Sequence, residues 1–470
     1  MAMAMHDRRR WRLGIAMSVG AGWRAAALAA LVALPLAASA ADARSTLDGA
    51  ADVVVAGTDP VVVFPDGISF PAEVSSDEEI AEISLLYRPE MIETLNEAPP
   101  DFEPGMAASV VHDLDLRDGS LPTGIDIVYH WRITEADGDV VETPERSVTW
   151  YDSRFTWETI ESDLVSVNYY DGNVGHARAV LESADATVRK LAERFGAELT
   201  DPIRLWIYPS REDFNGSLAP NSEPWMVGAA YPWFGVIKAV LPPGDSGEIG
   251  RVVPHEISHQ VLYQATKNPF NSAPAWLDEG LASLEQENGQ DALWAAIVAA
   301  GEAGQLEPIR VLNGQFPYDT ADAMLAYAQS LSIVTYIIDT YGEEGLSKLI
   351  AVFREGVTYD EAVERALGVT MDELDAAWRA AAPEQARRQL NPVGGDNYAG
   401  IDLGGDDAAL LASGGLVMAV VAVAAVVLGI RARRNVRQWE DEADPTPGLT
   451  LILPDGGHRH ILREADGARP

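Results

Sequence analysis

The stretch RVVPHEISHQVLYQ, residues 251–264, constrains the chain more than any other. It places His255 and His259 four residues apart, with Glu256 directly after the first histidine. On a helix, positions four apart lie on the same face, so both imidazoles point the same way. Two neutral imidazoles at this spacing suit one Zn²⁺, with the glutamate beside them. The pattern therefore predicts a helix that carries part of a zinc site.

A catalytic zinc ion has three protein ligands and one open position, so a third ligand is needed. The stretch APAWLDEGLASLEQ offers Glu279, 20 positions after His259. Pro274 suits a helix start, and the apolar spacing predicts a second helix. The interval leaves room for a turn that returns Glu279 to the first helix. A surface carboxylate is the alternative, but the neighbouring motif favours a metal ligand.

Together, HEISH and WLDEGLA resemble the gluzincin metallopeptidases, in which both histidines and the later glutamate bind zinc. The likeness covers residues 160–380 and is strongest to the bacterial, membrane-attached peptidase MA-like proteins. It implies an α+β metallopeptidase domain with one Zn²⁺ held by His255, His259 and Glu279. It also implies Glu256 as the general base and a peptide or protein as substrate.

Two features depart from the gluzincin pattern. Pro254 directly precedes His255, and because proline breaks a helix interior, the helix either begins there or is kinked. Aminopeptidase N-like members carry a Gly-Ala-Met-Glu-Asn segment whose glutamate holds the substrate's free amino terminus. The corresponding stretch, VGAAYPWF from Val227, contains Gly228 and Ala229 but no carboxylate. This favours endopeptidase over aminopeptidase action.

The oxyanion of a peptidase needs a hydrogen-bond donor besides the metal. Thermolysin-like enzymes use a downstream histidine, and the sequence has none between Glu279 and the C-terminal tail. Aminopeptidase N-like enzymes use a tyrosine, which makes Tyr327 the first candidate and Tyr318 the second. A packed helix residue is the alternative for Tyr327. Asp278 and Glu285 are candidates for orienting the ligands, with surface carboxylates as the favoured alternative.

Two apolar segments predict attachment to a membrane. Residues 1–40 combine a basic start, an apolar run and a small-residue cleavage site, as in a signal peptide; an uncleaved anchor is the alternative. Residues 408–430 are uncharged and span about 34 Å as a helix, enough to cross a bilayer. A buried soluble helix is the alternative. Arginines begin the segment 431–470, which predicts a cytoplasmic tail and an extracytoplasmic bulk at the cell membrane.

The remaining chain is predicted to be multidomain. Residues 58–155 alternate apolar and polar side chains, as in GIDIVYHWRIT, and predict a β-sandwich of immunoglobulin or fibronectin type. Residues 160–382 mix strands and helices and form the predicted peptidase domain. Within it, GVIKAVL is expected to be an edge strand that pairs with a peptide. Residues 383–407 contain two prolines and five glycines and predict a linker to the single transmembrane helix.

Composition excludes several functions. The formal net charge of −38 disfavours nucleic acid as a partner, and the absence of cysteine excludes disulfides and thiolate zinc sites. A zinc peptidase is the predicted function, and a catalytically silent, zinc-bearing binding ectodomain is the alternative. A zinc hydrolase that acts on another substrate also stays open. The intact Glu256 favours an enzyme, because a structural zinc site needs no base.

Overall fold

The structure is a computed structural model that describes residues 53–391, except for 171, 221, 223–225, 315 and 318–319, together with two short strands near the C-terminus. The predicted signal peptide, the predicted transmembrane helix 408–430 and Tyr318 lie outside the described residues. The two short strands, Thr450–Ile452 and His458–His460, pair antiparallel within the predicted tail.

The N-terminal region forms an antiparallel sheet of eight strands. These strands are β1 (Val54–Ala56), β2 (Val61–Val63), β3 (Gly67–Pro89), β4 (Asn96–Ala98), β5 (Gly105–Asp115), β6 (Ile125–Glu135), β7 (Val140–Glu142) and β8 (Arg146–Trp150). Strand β3 has 23 residues and joins the sheet together. Its first half pairs with β5 and its second half with β6, and the register shifts between Ser75 and Ile80.

The predicted sandwich of two sheets is therefore not confirmed, because all eight strands belong to one hydrogen-bonded sheet. The irregular segment between Ser75 and Ile80 lets a single long strand serve both halves. The predicted alternation along β6 is confirmed, since Ile125, Ile127, Tyr129, Trp131 and Ile133 are all buried. Strands β6 and β7 pair antiparallel as a hairpin.

A second sheet of five strands follows. Its strands are β9 (Glu158–Glu161), β10 (Val165–Tyr169), β11 (Ile203–Tyr208), β12 (Gly228–Tyr231) and β13 (Val236–Val240), in the order β12-β13-β11-β10-β9. Strands β10, β11 and β13 run parallel, and the outer strands β9 and β12 are antiparallel to their neighbours. The segment GVIKAVL is β13, so the prediction that it lies at the edge is wrong. The edge is β12, because a short turn at Pro232–Phe234 folds it back onto β13.

The second sheet contributes to two cores. Along β11, Leu205 and Ile207 face the helices, whereas Trp206 and Tyr208 pack with the core of the eight-stranded sheet. The core of the N-terminal region thus continues into the predicted peptidase domain. The predicted domain bounds leave residues 156–159 between the two domains. In the structure these residues lie on the short connection from the eight-stranded sheet into β9 of the second sheet.

The helices complete the second region. They are α1 (Val174–Phe195), α2 (Arg211–Asn215), α3 (Ser246–Thr266), α4 (Ala275–Glu285), α5 (Asp291–Ala303), α6 (Thr320–Phe353), α7 (Tyr359–Leu367) and α8 (Met371–Leu390). Helix α1 ends at Gly196 in the left-handed conformation, and α8 begins with a capping box of Thr370 and Glu373.

Helix α8 corrects the start of the predicted linker. The helix continues through Pro383 to Leu390, and Gln385 and Ala386 are buried. The ring of Pro383 packs against Gly301 of α5, where a side chain would collide with it. Residues 383–390 therefore belong to the helical core, and the linker's remainder from 392 onward lies outside the described residues.

Helix α6 is the one helix of the described segment that is long and apolar enough to cross a membrane. It is broken at Gly342, which has φ +73°, and its residues Leu331, Ile333 and Val334 are buried in the core. Helix α6 is therefore a core helix of the second region.

Candidate metal centre and active site

Helix α3 carries the two histidines on one face. The Asp245 side chain caps its start by accepting from the N–H of Glu248 at 3.1 Å. The His255 and His259 rings have centroids 5.0 Å apart, as the spacing of four residues predicts.

Pro254 lies inside α3, eight residues after its first residue, Ser246. The alternative that the helix begins at Pro254 is wrong. A proline has no N–H, so the carbonyl of Gly250 lacks its usual intrahelical donor. The N–H of Glu287, just after α4, donates to that carbonyl at 3.0 Å. The proline thus creates an acceptor that holds the end of α4 against α3.

Helix α4 brings Glu279 to the histidines. The helix begins after Pro274, as predicted. Oε2 of Glu279 lies 3.6 Å from Nε2 of His255 and 3.7 Å from Nε2 of His259. One ligand atom from each of the three residues lies within 4.8 Å of the others. The structure therefore brings the three predicted ligands together.

Two further side chains contact the Nδ1 atoms of the two histidine rings. Oδ1 of Asp278 lies 2.6 Å from Nδ1 of His259, so the preference for a surface role of Asp278 is corrected. The amide of Gln286 lies 2.8 Å from Nδ1 of His255. Such partners fix ring orientation and leave the other nitrogen for a metal. Gln286 is missing from the sequence-based site, although it follows Glu279 by two helical turns, a spacing that places both on one face.

Glu285 takes neither of its predicted roles. It is buried, and its carboxylate pairs with Lys190 at 2.7 Å and Arg194 at 2.9 Å. These ion pairs join α4 to α1. Glu285 therefore links two helices and does not contact the histidines.

Glu256 is buried beside the edge strand β12. A side-chain carbon on Gly228 would collide with Oε1 of Glu256, so only glycine leaves room for this carboxylate. Burial raises the pKa of Glu256 to about 7, and the nearby His259 opposes that rise. The carboxylate thus has the proton affinity of a base that works near neutral pH.

The pKa values of the two histidines shift in opposite directions. Burial, with help from His259, holds the pKa of His255 well below its usual value. Burial also lowers the pKa of His259, but Asp278, Glu279 and Glu256 outweigh it and raise that pKa to about 10. Three carboxylates around one imidazole favour positive charge between them, supplied by a proton or by a metal cation.

Tyr327 on α6 reaches the same site. Its hydroxyl donates to Oε1 of Glu279 at 3.4 Å, and its ring centroid lies 6.5 Å from that of His255. Burial and the carboxylates of Glu279 and Glu256 raise its pKa, so the hydroxyl keeps its proton. It is therefore available as a hydrogen-bond donor.

These residues fit a zinc ion. Oε2 of Glu279 is buried and has no hydrogen-bond partner among the described residues, although two imidazole nitrogens face it. A buried carboxylate oxygen without a partner is costly unless a cation or donor satisfies it. Two imidazole nitrogens and one carboxylate oxygen are the ligand set that a catalytic zinc takes.

The sequence of this region matches a known family. Residues 183–383 match the family described as the Peptidase MA superfamily. Residues 183–383 therefore resemble a peptidase MA domain. This match confirms the predicted resemblance to gluzincin zinc metallopeptidases and the predicted enzyme class. No curated protein matches the chain.

Solved structures with similarity to the chain include the following two proteins. An M1 zinc metallopeptidase from Deinococcus radiodurans is 14% identical, with a TM-score of 0.32, and the match covers 67% of this chain and 90% of that one. An aminopeptidase N family protein from Idiomarina loihiensis is 11% identical, with a TM-score of 0.31, and the match covers 68% and 72%.

Proposed function

We propose that the chain is a zinc-dependent endopeptidase with one zinc ion held by His255, His259 and Glu279. The observation that carries this proposal is the position of Glu279 Oε2, which lies between two imidazole nitrogens with no other partner in the described part of the chain. When bound, zinc supplies a Lewis acid that acidifies a water molecule.

Glu256 is the proposed general base. Its carboxylate lies one residue from His255 on the same helix, and its raised pKa of about 7 suits proton exchange at neutral pH. The carboxylate takes a proton from the attacking water and delivers it to the leaving amine. Gly228 keeps the space beside this carboxylate clear.

Tyr327 is the proposed donor to the oxyanion. Its hydroxyl stays protonated because burial and two carboxylates raise its pKa. A neutral donor beside the ligand Glu279 can stabilise the negative charge that develops on the substrate carbonyl.

Strand β12 is the proposed peptide-binding edge. It pairs with β13 on one side, and no described strand pairs with its other side. An extended peptide can add to such an edge through backbone hydrogen bonds. The strand carries Gly228 at Glu256 and no carboxylate, so nothing on it would hold a free amino terminus. Endopeptidase action is therefore favoured.

The substrate preference can be tested with two sets of fluorogenic peptides. One set is acetylated at the amino terminus and releases fluorescence on internal cleavage, and the other releases it only when a free amino-terminal residue is removed. We expect cleavage of the blocked set by zinc-loaded protein and none by Glu256→Gln. Cleavage confined to the free-amine set would make the chain an aminopeptidase. Zinc binding without cleavage of either set would favour the silent ectodomain.

We also propose that the enzyme is anchored in the cell membrane by residues 408–430, with its bulk outside. The proposal is supported by the arginines that follow this segment and by the signal-like residues 1–40. External protease on intact cells should digest the peptidase domain and spare a tag at the C-terminus. Digestion of the tag from outside would contradict this orientation.

A further inference from the structure

A second group of carboxylates lies far from the proposed zinc ligands in sequence, at the β6–β7 hairpin. Glu135 ends β6, and Asp137 and Asp139 lie in the loop that leads to β7. One carboxylate oxygen from each of the three lies within 4.8 Å of the others. The hairpin loop is held by the N–H of Glu135, which donates to the carbonyl of Asp139 at 2.9 Å.

Glu135 is the unusual member, because it is only 1% exposed. Ser76, in the irregular segment of β3, donates its hydroxyl to Oε1 of Glu135. Oε2 of Glu135 is buried and has no hydrogen-bond partner among the described residues. An unsatisfied buried carboxylate oxygen costs free energy, so its retention points to a partner outside the described residues.

The surrounding charge makes that partner a cation. No arginine, lysine or histidine of the described segment forms an ion pair with Glu135, Asp137 or Asp139. The neighbouring segment of β3 adds three exposed acidic residues, Asp77, Glu78 and Glu79. Carboxylates this close repel one another unless a positive charge lies between them.

We propose that Glu135, Asp137 and Asp139 bind a calcium ion. All the donors are oxygen atoms, which hard cations prefer to the nitrogen donors of the zinc site. Oxygen ligands of one Ca²⁺ lie at most about 5 Å apart, so the observed cluster needs little rearrangement. Ca²⁺ bound by the carboxylate of Glu135 would link the hairpin to the irregular segment of β3, because Ser76 already donates to Oε1 of that carboxylate.

Calcium titration calorimetry on zinc-loaded full-length protein tests the site. We expect one Ca²⁺ to bind in the sub-millimolar to millimolar range found for extracellular modules, about 10⁻⁴–10⁻³ M. The variant with Asp137→Asn and Asp139→Asn should lose at least about tenfold in affinity, since two of three charged ligands become neutral. The matched control carries Asp101→Asn and Glu103→Gln, two exposed changes that remove the same charge elsewhere. The control should bind Ca²⁺ like the wild type.

Hydrogen exchange on the wild type gives a second readout that needs no variant. Added Ca²⁺ should slow backbone exchange in residues 76–80 and 134–141, and Mg²⁺ at the same concentration should do so less. Absence of Ca²⁺ binding by the wild type would overturn the proposal. So would equal loss of affinity in both double variants, or protection that falls elsewhere in the chain.

Discussion

The N–H of Glu287 donates to the carbonyl of Gly250 at 3.0 Å, across two helices. The carbonyl is free because Pro254, four residues later, has no N–H. This bond fixes the residue next to Gln286, whose amide contacts Nδ1 of His255 at 2.8 Å. A proline in the zinc-binding helix thus helps to position a side chain that orients a ligand.

We expect Gln286→Leu to weaken zinc binding. If Nε2 of His255 binds the metal, Nδ1 carries the ring proton, and the Gln286 amide accepts it after a half-turn of its planar group. Loss of such a partner weakens metal affinity by about 10–100-fold. Competition with a chelator of known affinity measures the change. Gln264→Leu, on α3 but bonded to Asp201, is the control and should keep wild-type affinity.

Removing a ligand should remove the metal. His255→Ala and Glu279→Ala each delete one of three proposed protein ligands, so elemental analysis after dialysis should find little zinc. Glu285→Gln changes a buried carboxylate on the same helix as Glu279, whose ion pairs among the described residues are with Lys190 and Arg194 of α1. It should keep its zinc. Full zinc occupancy in both ligand variants would show that the ligand set is wrong.

The variant Glu256→Gln should distinguish the role of a general base from that of a zinc ligand. The change keeps all three ligands and removes the proton acceptor, so zinc content stays and kcat falls by at least about a hundredfold. Tyr327→Phe should lower kcat by about tenfold, because it deletes one donor to the oxyanion and no ligand. Glu193→Gln, exposed on α1, is the control for loss of charge. Wild-type turnover by Glu256→Gln would end this mechanism.

Gly228→Ala should act through Glu256. The new methyl group collides with Oε1 of that carboxylate, so Glu256 must move away from its position beside β12. We expect kcat to fall by about tenfold or more while zinc content stays, because a displaced base transfers protons poorly. Gly175→Ala on α1 meets only ordinary contacts and should have no effect. Loss of zinc in Gly228→Ala would instead indicate a rearranged metal centre.

The burial of Lys238 should make the stability of the protein depend on pH. It is 1% exposed, donates to the carbonyl of Ser217 at 2.7 Å, and burial lowers its pKa from 10.5 to about 7. Between these two values the unfolded chain binds a proton that the folded chain does not. The free energy of unfolding therefore rises with pH, by up to about 1.4 kcal/mol per pH unit from this residue.

Lys238→Met removes that titration. From pH 7 to pH 9, wild type should gain about 2 kcal/mol of unfolding free energy relative to the variant. Urea unfolding at both pH values measures the difference. Equal slopes for the two proteins would mean that Lys238 keeps its proton in the folded state.

Local patterns in the sequence were enough to predict several elements. The spacing of His255 and His259 predicts their shared face. The alternation along β6 predicts its buried side. Each of these depends on the period of a helix or a strand, which residues close in the chain reveal by themselves.

Long-range contacts decided the rest. The carboxylates Asp278 and Glu285 look alike in sequence, yet one contacts His259 of α3 and the other pairs with Lys190 and Arg194 of α1, because they lie at opposite ends of α4 and different helices pack there. Likewise, the sequence does not tell which strand ends the second sheet or which residues meet at the bond between Gly250 and Glu287. Such contacts join segments far apart in the chain, and only the packing of helices and sheets brings them together.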